Sequence, residues 1–112
     1  MEVSGLANTP QPPYYAVTFT SIRTDGDNGY AEMAERMARL SSDSPGFLGM
    51  EHAASDGLSI TICYWESLEA IAAWRQHEEH LLAQQKGYEQ WYDSFATRVC
   101  RVERDNVFSR PK

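Results

Sequence analysis

The chain is short of positive charge, of cysteine and of long apolar runs. Its 112 residues carry 10 lysines and arginines against 16 aspartates and glutamates, a net charge of −6. Nucleic-acid binding needs a basic footprint, and there is none. The same repulsion disfavours an anionic membrane surface, so the acidity is read as serving solubility. No stretch approaches the ~20 apolar residues of a membrane span. Residues 1–13, MEVSGLANTPQPP, have neither the basic start nor the apolar run of a secretory signal. The cytoplasm is therefore the expected location. Cys63 and Cys100 are too few for a disulfide scaffold. No C-x-x-C spacing offers zinc a thiolate pair. His77-Glu78-Glu79-His80 spaces its histidines at i, i+3, not the i, i+4 of H-E-x-x-H, and no third ligand stands out, so no metal is expected. There is no G-x-G-x-x-G, P-loop or G-x-S-x-G, which leaves nucleotide binding and serine-hydrolase chemistry without support.

What is present reads as one domain, with a hydrophobic fraction of 42%. Residues 1–12 hold scattered Gly5, Pro10 and Pro12 and read as a flexible arm, 13–104 as the domain, and 105–112 as a tail. The run YYAVTFTSI at 14–22 predicts a strand. After a turn cluster at 24–29, where Asp25, Asp27 and Asn28 are all plausible caps, Tyr30, Met33, Met37 and Leu40 recur at helical spacing. Pro45 forbids continuation of that helix. Strands are expected at 47–54 and 58–65, joined by the hairpin signal Asp56-Gly57. Ser67 is the expected N-cap of a second helix running to about Gln85, with a short helical turn over 86–92 and a last strand over 95–103.

The order β-α-β-β-α-β defines an α+β, ferredoxin-like fold with a four-stranded antiparallel sheet and strand order 4-1-3-2. In that order the strands bearing Cys63 and Cys100 flank the first strand, roughly 9–10 Å apart. This exceeds the ~7 Å reach of a disulfide, so both thiols are expected to be free. The strands are apolar on both faces: Tyr15, Val17 and Phe19 oppose Tyr14, Ala16 and Ile22, while Ile60, Ile62 and Tyr64 oppose Cys63 and Trp65. Helices cover one face. A second copy is the simplest cover for the other, which predicts a C2 homodimer.

Two features suggest where chemistry could sit. On the second helix Ala70, Trp74, His77 and Leu81 follow the spacing of one face, so His77 interrupts an apolar stripe. A histidine there can serve as a general base near neutral pH; the structural alternative is a hydrogen bond to a carbonyl or water. His80 follows at i+3, with plain solvent exposure as its alternative. Aromatic side chains also cluster, with Trp65, Trp74, Tyr88, Trp91, Tyr92 and Phe95 close in sequence to this helix and the last strand. They line a pocket for a flat aromatic ligand or else form core.

Pro45, Gly46 and Phe47 enter one strand, and Trp65, Ser67, Glu69, Ala70 and Trp74 leave the next. This pattern, PGF followed by W-x-S-x-E-A-x-x-x-W, resembles the antibiotic biosynthesis monooxygenase family, and the order of elements fits it over residues 13–104. The resemblance implies paired sheets forming a dimeric α/β barrel. It also implies oxidation of a small aromatic or quinol-like substrate by dioxygen, with no bound metal or flavin. On that reading Trp74 and His77 are the expected catalytic residues, and Tyr64, Trp65, His80, Tyr88 and Trp91 the expected substrate contacts. A haem-binding or haem-degrading protein is one alternative. The haem-degrading branch uses an asparagine on strand one, a tryptophan on helix two and a histidine nine or ten residues beyond. Trp74 matches the tryptophan, while Phe19 and Ala83 or Gln84 stand at the other two positions. A non-catalytic dimer that binds a small molecule is the second alternative.

Overall fold

A computed structural model describes residues 5–85 and 90–111, with helical residues 79–85 described by backbone alone. The elements are β1 (Tyr14–Arg23), α1 (Tyr30–Ser42), β2 (Phe47–Ser55), β3 (Leu58–Trp65), α2 (Leu68–Gln85) and β4 (Tyr92–Val102). The sheet has the order β2-β3-β1-β4, and every pair is antiparallel. This is the ferredoxin-like arrangement expected from the sequence.

Local chemistry explains the element ends. The Asp27 carboxylate accepts from the backbone N–H groups of Gly29 at 2.9 Å and Ala31 at 3.1 Å, satisfying donors that α1 leaves open. Ser67 caps α2, its Oγ accepting from Ala70 N–H at 3.1 Å. The last strand begins three residues before the expected Phe95, because Tyr92 pairs with Arg23 at the end of β1. The expected turn over 86–92 falls partly on residues 86–89, outside the described residues.

Gly46 has φ +85°, and a Cβ there would stand 2.6 Å from the Ala70 Cβ. Its carbonyl accepts from Glu66 N–H at 2.8 Å. Beside this contact Trp65 is buried, edge-on to Phe47 at 5.3 Å and stacked with Trp74 at 6.3 Å. The PGF and W-x-S-x-E-A-x-x-x-W residues thus meet at one place: a glycine-permitted close approach, a helix cap and three packed rings. They fasten α2 to the β2–β3 end of the sheet.

The sheet has two unlike faces. Tyr15, Val17, Phe47, Cys63 and Trp65 face the helices and pack with Ile71 and Trp74. Ile22, Leu58 and Ile60 face the other way and are 49%, 43% and 40% exposed. One end of that outer face is covered by the chain's own terminal segments. Tyr64 donates to Glu51 Oε1 at 2.7 Å, and Ala7 N–H donates to Glu51 Oε2 at 3.0 Å. Tyr14 donates to Asp105 Oδ2 at 2.6 Å and accepts from Thr9 at 3.1 Å. Cys63 and Cys100 are free thiols, on opposite faces and separated by β1. Among the described residues no helix is long and apolar enough to cross a membrane.

Candidate functional site

A cavity of about 440 Å³ lies between the helices and the sheet. Its floor is a lateral row of facing side chains, His52 on β2, Thr61 on β3, Phe19 on β1 and Thr97 on β4, with Met50, Cys63 and Val17 in the next row. Met33 and Met37 of α1 and Ile71 and Trp74 of α2 form the roof. Tyr30, Trp91, Tyr92 and Phe95 line one end and Trp65 the other.

The Tyr30 end is tied together by polar contacts. Trp91 is 3% exposed, and its indole N–H donates to the Asn28 carbonyl at 2.9 Å. Arg23 Nε and the Thr24 N–H both donate to the Trp91 carbonyl at 3.0 Å, and the Arg23 guanidinium sits 3.4 Å from the centre of the Tyr30 ring. These bonds tie residue 91 to the end of β1 and the start of α1, alongside its packing with Met33 and Tyr30.

The cavity is chemically selective in what it offers. Burial pushes the Cys63 thiol up to about 12, with the charge of Glu78 adding to the effect. A thiol in that condition is a small apolar surface and no nucleophile. Burial, then the neighbouring Tyr30, holds the Tyr92 phenol well above its usual range, so it remains a hydrogen-bond donor at neutral pH. His52 Nδ1 lies 2.8 Å from Thr61 Oγ1. Glu35, Arg75 and Glu78 supply charge on the helix side. Among the described residues no group of three histidine, cysteine or acidic side chains could hold a metal ion.

The expected site residues divide. Trp65, Trp74 and Trp91 line the cavity. His77 does not: it is exposed, and lines an outer groove with Pro45 and Glu66, its ring 5.7 Å from that of Trp74. The inward face of α2 runs through Ile71, Trp74, Arg75 and Glu78, and His77 lies about 100° round the helix from Glu78. The mixed polarity of that inward face hid it from a reading by apolar stripe. Tyr64 points to the opposite side of the sheet, toward Tyr14 and Glu51, and contributes nothing to this cavity. Burial, then the hydrogen bond to Glu51, raises its phenol far above the usual range. Tyr88 and the His80 side chain lie outside the described residues.

His52 and Thr61 were missed. The register between β2 and β3 shifts between Phe47 and Gly49, leaving Leu48 as an extra residue. Alternation counted from Phe47 sends His52 to the outer face; the bulge returns it to the helix side. A one-residue irregularity of this kind has no signature in the sequence beyond Gly49.

The fold is a small α+β domain with an aromatic-lined cavity beneath two helices, and comparison with known proteins gives its family. Residues 13–86 match the model of the antibiotic biosynthesis monooxygenase family. The chain belongs to that family. It is 51% identical over 104 residues to the uncharacterised protein YqjZ of Bacillus subtilis, covering 92% of this chain and 91% of that one. Among solved structures it is similar to SnoaB, a cofactor-independent oxygenase from Streptomyces nogalater, with TM-score 0.65 at 10% identity over 88% of this chain and 100% of that one. It is equally similar in fold to Rv0793 from Mycobacterium tuberculosis, with TM-score 0.65 at 17% identity over 85% and 99% of the two chains.

Proposed function

We propose that this protein is a cofactor-independent monooxygenase acting on a small, flat aromatic or quinol-like substrate with dioxygen. The carrying observation is the aromatic-walled cavity of about 440 Å³, a size suited to a ligand of two or three fused rings. Its walls of Phe19, Trp65, Trp74 and Trp91 suit flat rings, and its polar groups suit a phenol or enol at the edge. The electrons come from the substrate. For an activated ring methylene, loss of a proton gives a carbanion stabilised as phenolate, which adds dioxygen. Loss of the second C–H proton then cleaves the O–O bond. One oxygen becomes the new carbonyl and the other leaves as water. Seating the rings under the helices favours the sequence because it shields the anion from reprotonation by solvent.

The reading includes a homodimer paired through the outer face of the sheet, supported by the exposed Ile22, Leu58 and Ile60. A cytoplasmic setting goes with it, supported by two free thiols. The test is oxygen consumption by metal- and flavin-free protein supplied with a hydroxyanthrone, with water and not hydrogen peroxide as the co-product. One quinone formed per dioxygen, at a rate well above autoxidation, supports it. A Soret band on haem titration with no oxygen uptake turns the reading to haem binding, and tight probe binding without either turns it to a non-catalytic binder. The dimer is tested by the unfolding midpoint, which should rise with protein concentration.

A further inference from the structure

We infer that His52, oriented by Thr61, is the base that ionises the substrate hydroxyl. The inference rests on the proposed aromatic cavity but names a residue outside the family's sequence pattern. His52 is the histidine that lines the cavity among the described residues, and it sits on the sheet floor beneath the tryptophan walls. It is exposed on its outer side, at the free edge of β2, so a proton taken from substrate has a route to water. The 2.8 Å contact of Nδ1 with Thr61 Oγ1 fixes the ring plane. With Nδ1–H donating to Thr61, Nε2 carries the free electron pair. The step is a single proton transfer. The O–H bond of the substrate's enol tautomer breaks, an N–H bond forms at Nε2, and the electron pair stays on oxygen, giving beside an imidazolium the same delocalised anion that loss of the methylene proton gives.

The other ionisable groups of the cavity are less suited. Cys63 and Tyr92 are held protonated by burial. Glu35 and Glu78 line it from the helices, and a carboxylate is ordinarily about two pH units less basic than an imidazole. Arg75, also on the helix side, supplies positive charge and accepts no proton. The polar floor formed by Thr61 and Thr97 lies in the same row as His52, so a hydroxyl bound there meets the imidazole while its rings reach the tryptophans.

The test reads the ionisation of a bound phenol without depending on turnover. The probe is 1-naphthol, which is neutral in water at pH 7 and whose anion absorbs to the red of the protein, titrated into native protein, His52→Gln and Thr61→Val. Since His52 is exposed on an edge strand, the glutamine variant should keep the native circular dichroism and unfolding midpoint. The expected result is about tenfold more phenolate per bound probe at pH 7 in the native protein than in His52→Gln, with Thr61→Val between them. Equal ionisation in native and His52→Gln overturns the inference, since a carboxylate or Arg75 would then be responsible. Failure of the native protein to bind the probe overturns both the inference and the oxygenase reading. Oxygen uptake with a hydroxyanthrone separates the two. A His52-dependent phenolate without uptake keeps the inference and removes the oxygenase reading. Uptake that survives in His52→Gln with unaltered ionisation does the reverse.

Discussion

Two aromatic clusters bracket the cavity, and they are built differently. At one end Trp65, Ile71 and Trp74 are buried against Phe47, with Gly46 pressed against Ala70. These residues come from one stretch, 46–74, with Tyr15 and Val17 of β1 and Met37 and Leu40 of α1 packed against them. At the other end Met33 and Trp91 are buried with Tyr30, Met37 and Tyr92, drawn from α1 and from residues beyond 90. The first cluster is held by apolar contact and one helix cap. The second is held by hydrogen bonds from Arg23, Thr24 and Trp91 to backbone carbonyls, and by a cation over the Tyr30 ring. The difference teaches that the family's sequence signature is a packing signature. It specifies how α2 docks, while polar side chains that line the cavity, such as His52, Thr61 and Thr97, lie outside it.

The comparison can be broken hardest at the apolar end. Trp65→Ala removes the most buried ring of that cluster, 1% exposed, and should destabilise by about 3–5 kcal/mol in denaturant unfolding. A loss below about 1 kcal/mol would mean that the cluster is not the anchor described here. Next in size is Gly46→Ala, which meets both the positive φ and the 2.6 Å approach to Ala70. A cost of about 1–3 kcal/mol is expected. Set against Ala70→Gly alone, which carries its own helix cost of about 1 kcal/mol, the double variant should recover the part due to contact and leave the part due to backbone strain.

The polar-tied end should be softer. Trp91→Phe keeps a ring but leaves the Asn28 carbonyl without its indole donor. It should cost about 1 kcal/mol of stability while weakening binding of an aromatic probe. If stability falls as far as in Trp65→Ala, the two clusters are equivalent and the contrast fails. The smallest effect concerns pH. The Cys63 thiol has its folded pKa raised from 9.0 to about 12 by burial, so its neutral form favours the fold. That contribution is complete below pH 9 and is lost as pH rises toward 12. Cys63→Ala should therefore lose less stability than the native protein between pH 8 and pH 11. The raised tyrosines titrate in both chains and cancel in the difference. Parallel curves would show that Cys63 is hydrated.

The sequence disclosed the first cluster and concealed the second for physical reasons. Strand order, the Ser67 cap and the facing of Val17, Cys63 and Trp65 follow from local periodicity, and the structure has them. Trp91 was legible only as an aromatic; its partners Arg23 and Asn28 lie more than sixty residues away and join it through tertiary hydrogen bonds. His77 was misplaced because α2 mixes polar and apolar residues on its inward face, so a one-residue error in the centre of the stripe turned the helix by about 100°. His52 was hidden by the β2 bulge.

That bulge has a consequence for how such a cavity could diversify. With the extra residue at Leu48, His52 stands opposite Thr61 under the helices, and Glu51 stands opposite Ile62 on the other side. Were the irregularity to slide past residue 52, alternation would carry Glu51 into the cavity and His52 out of it. An imidazole would be exchanged for a carboxylate with neither codon altered. Descendants of one gene could thereby trial acids and bases of different strength on the same floor, by indels at the strand's ends, while the tryptophan anchor that maintains the architecture went untouched.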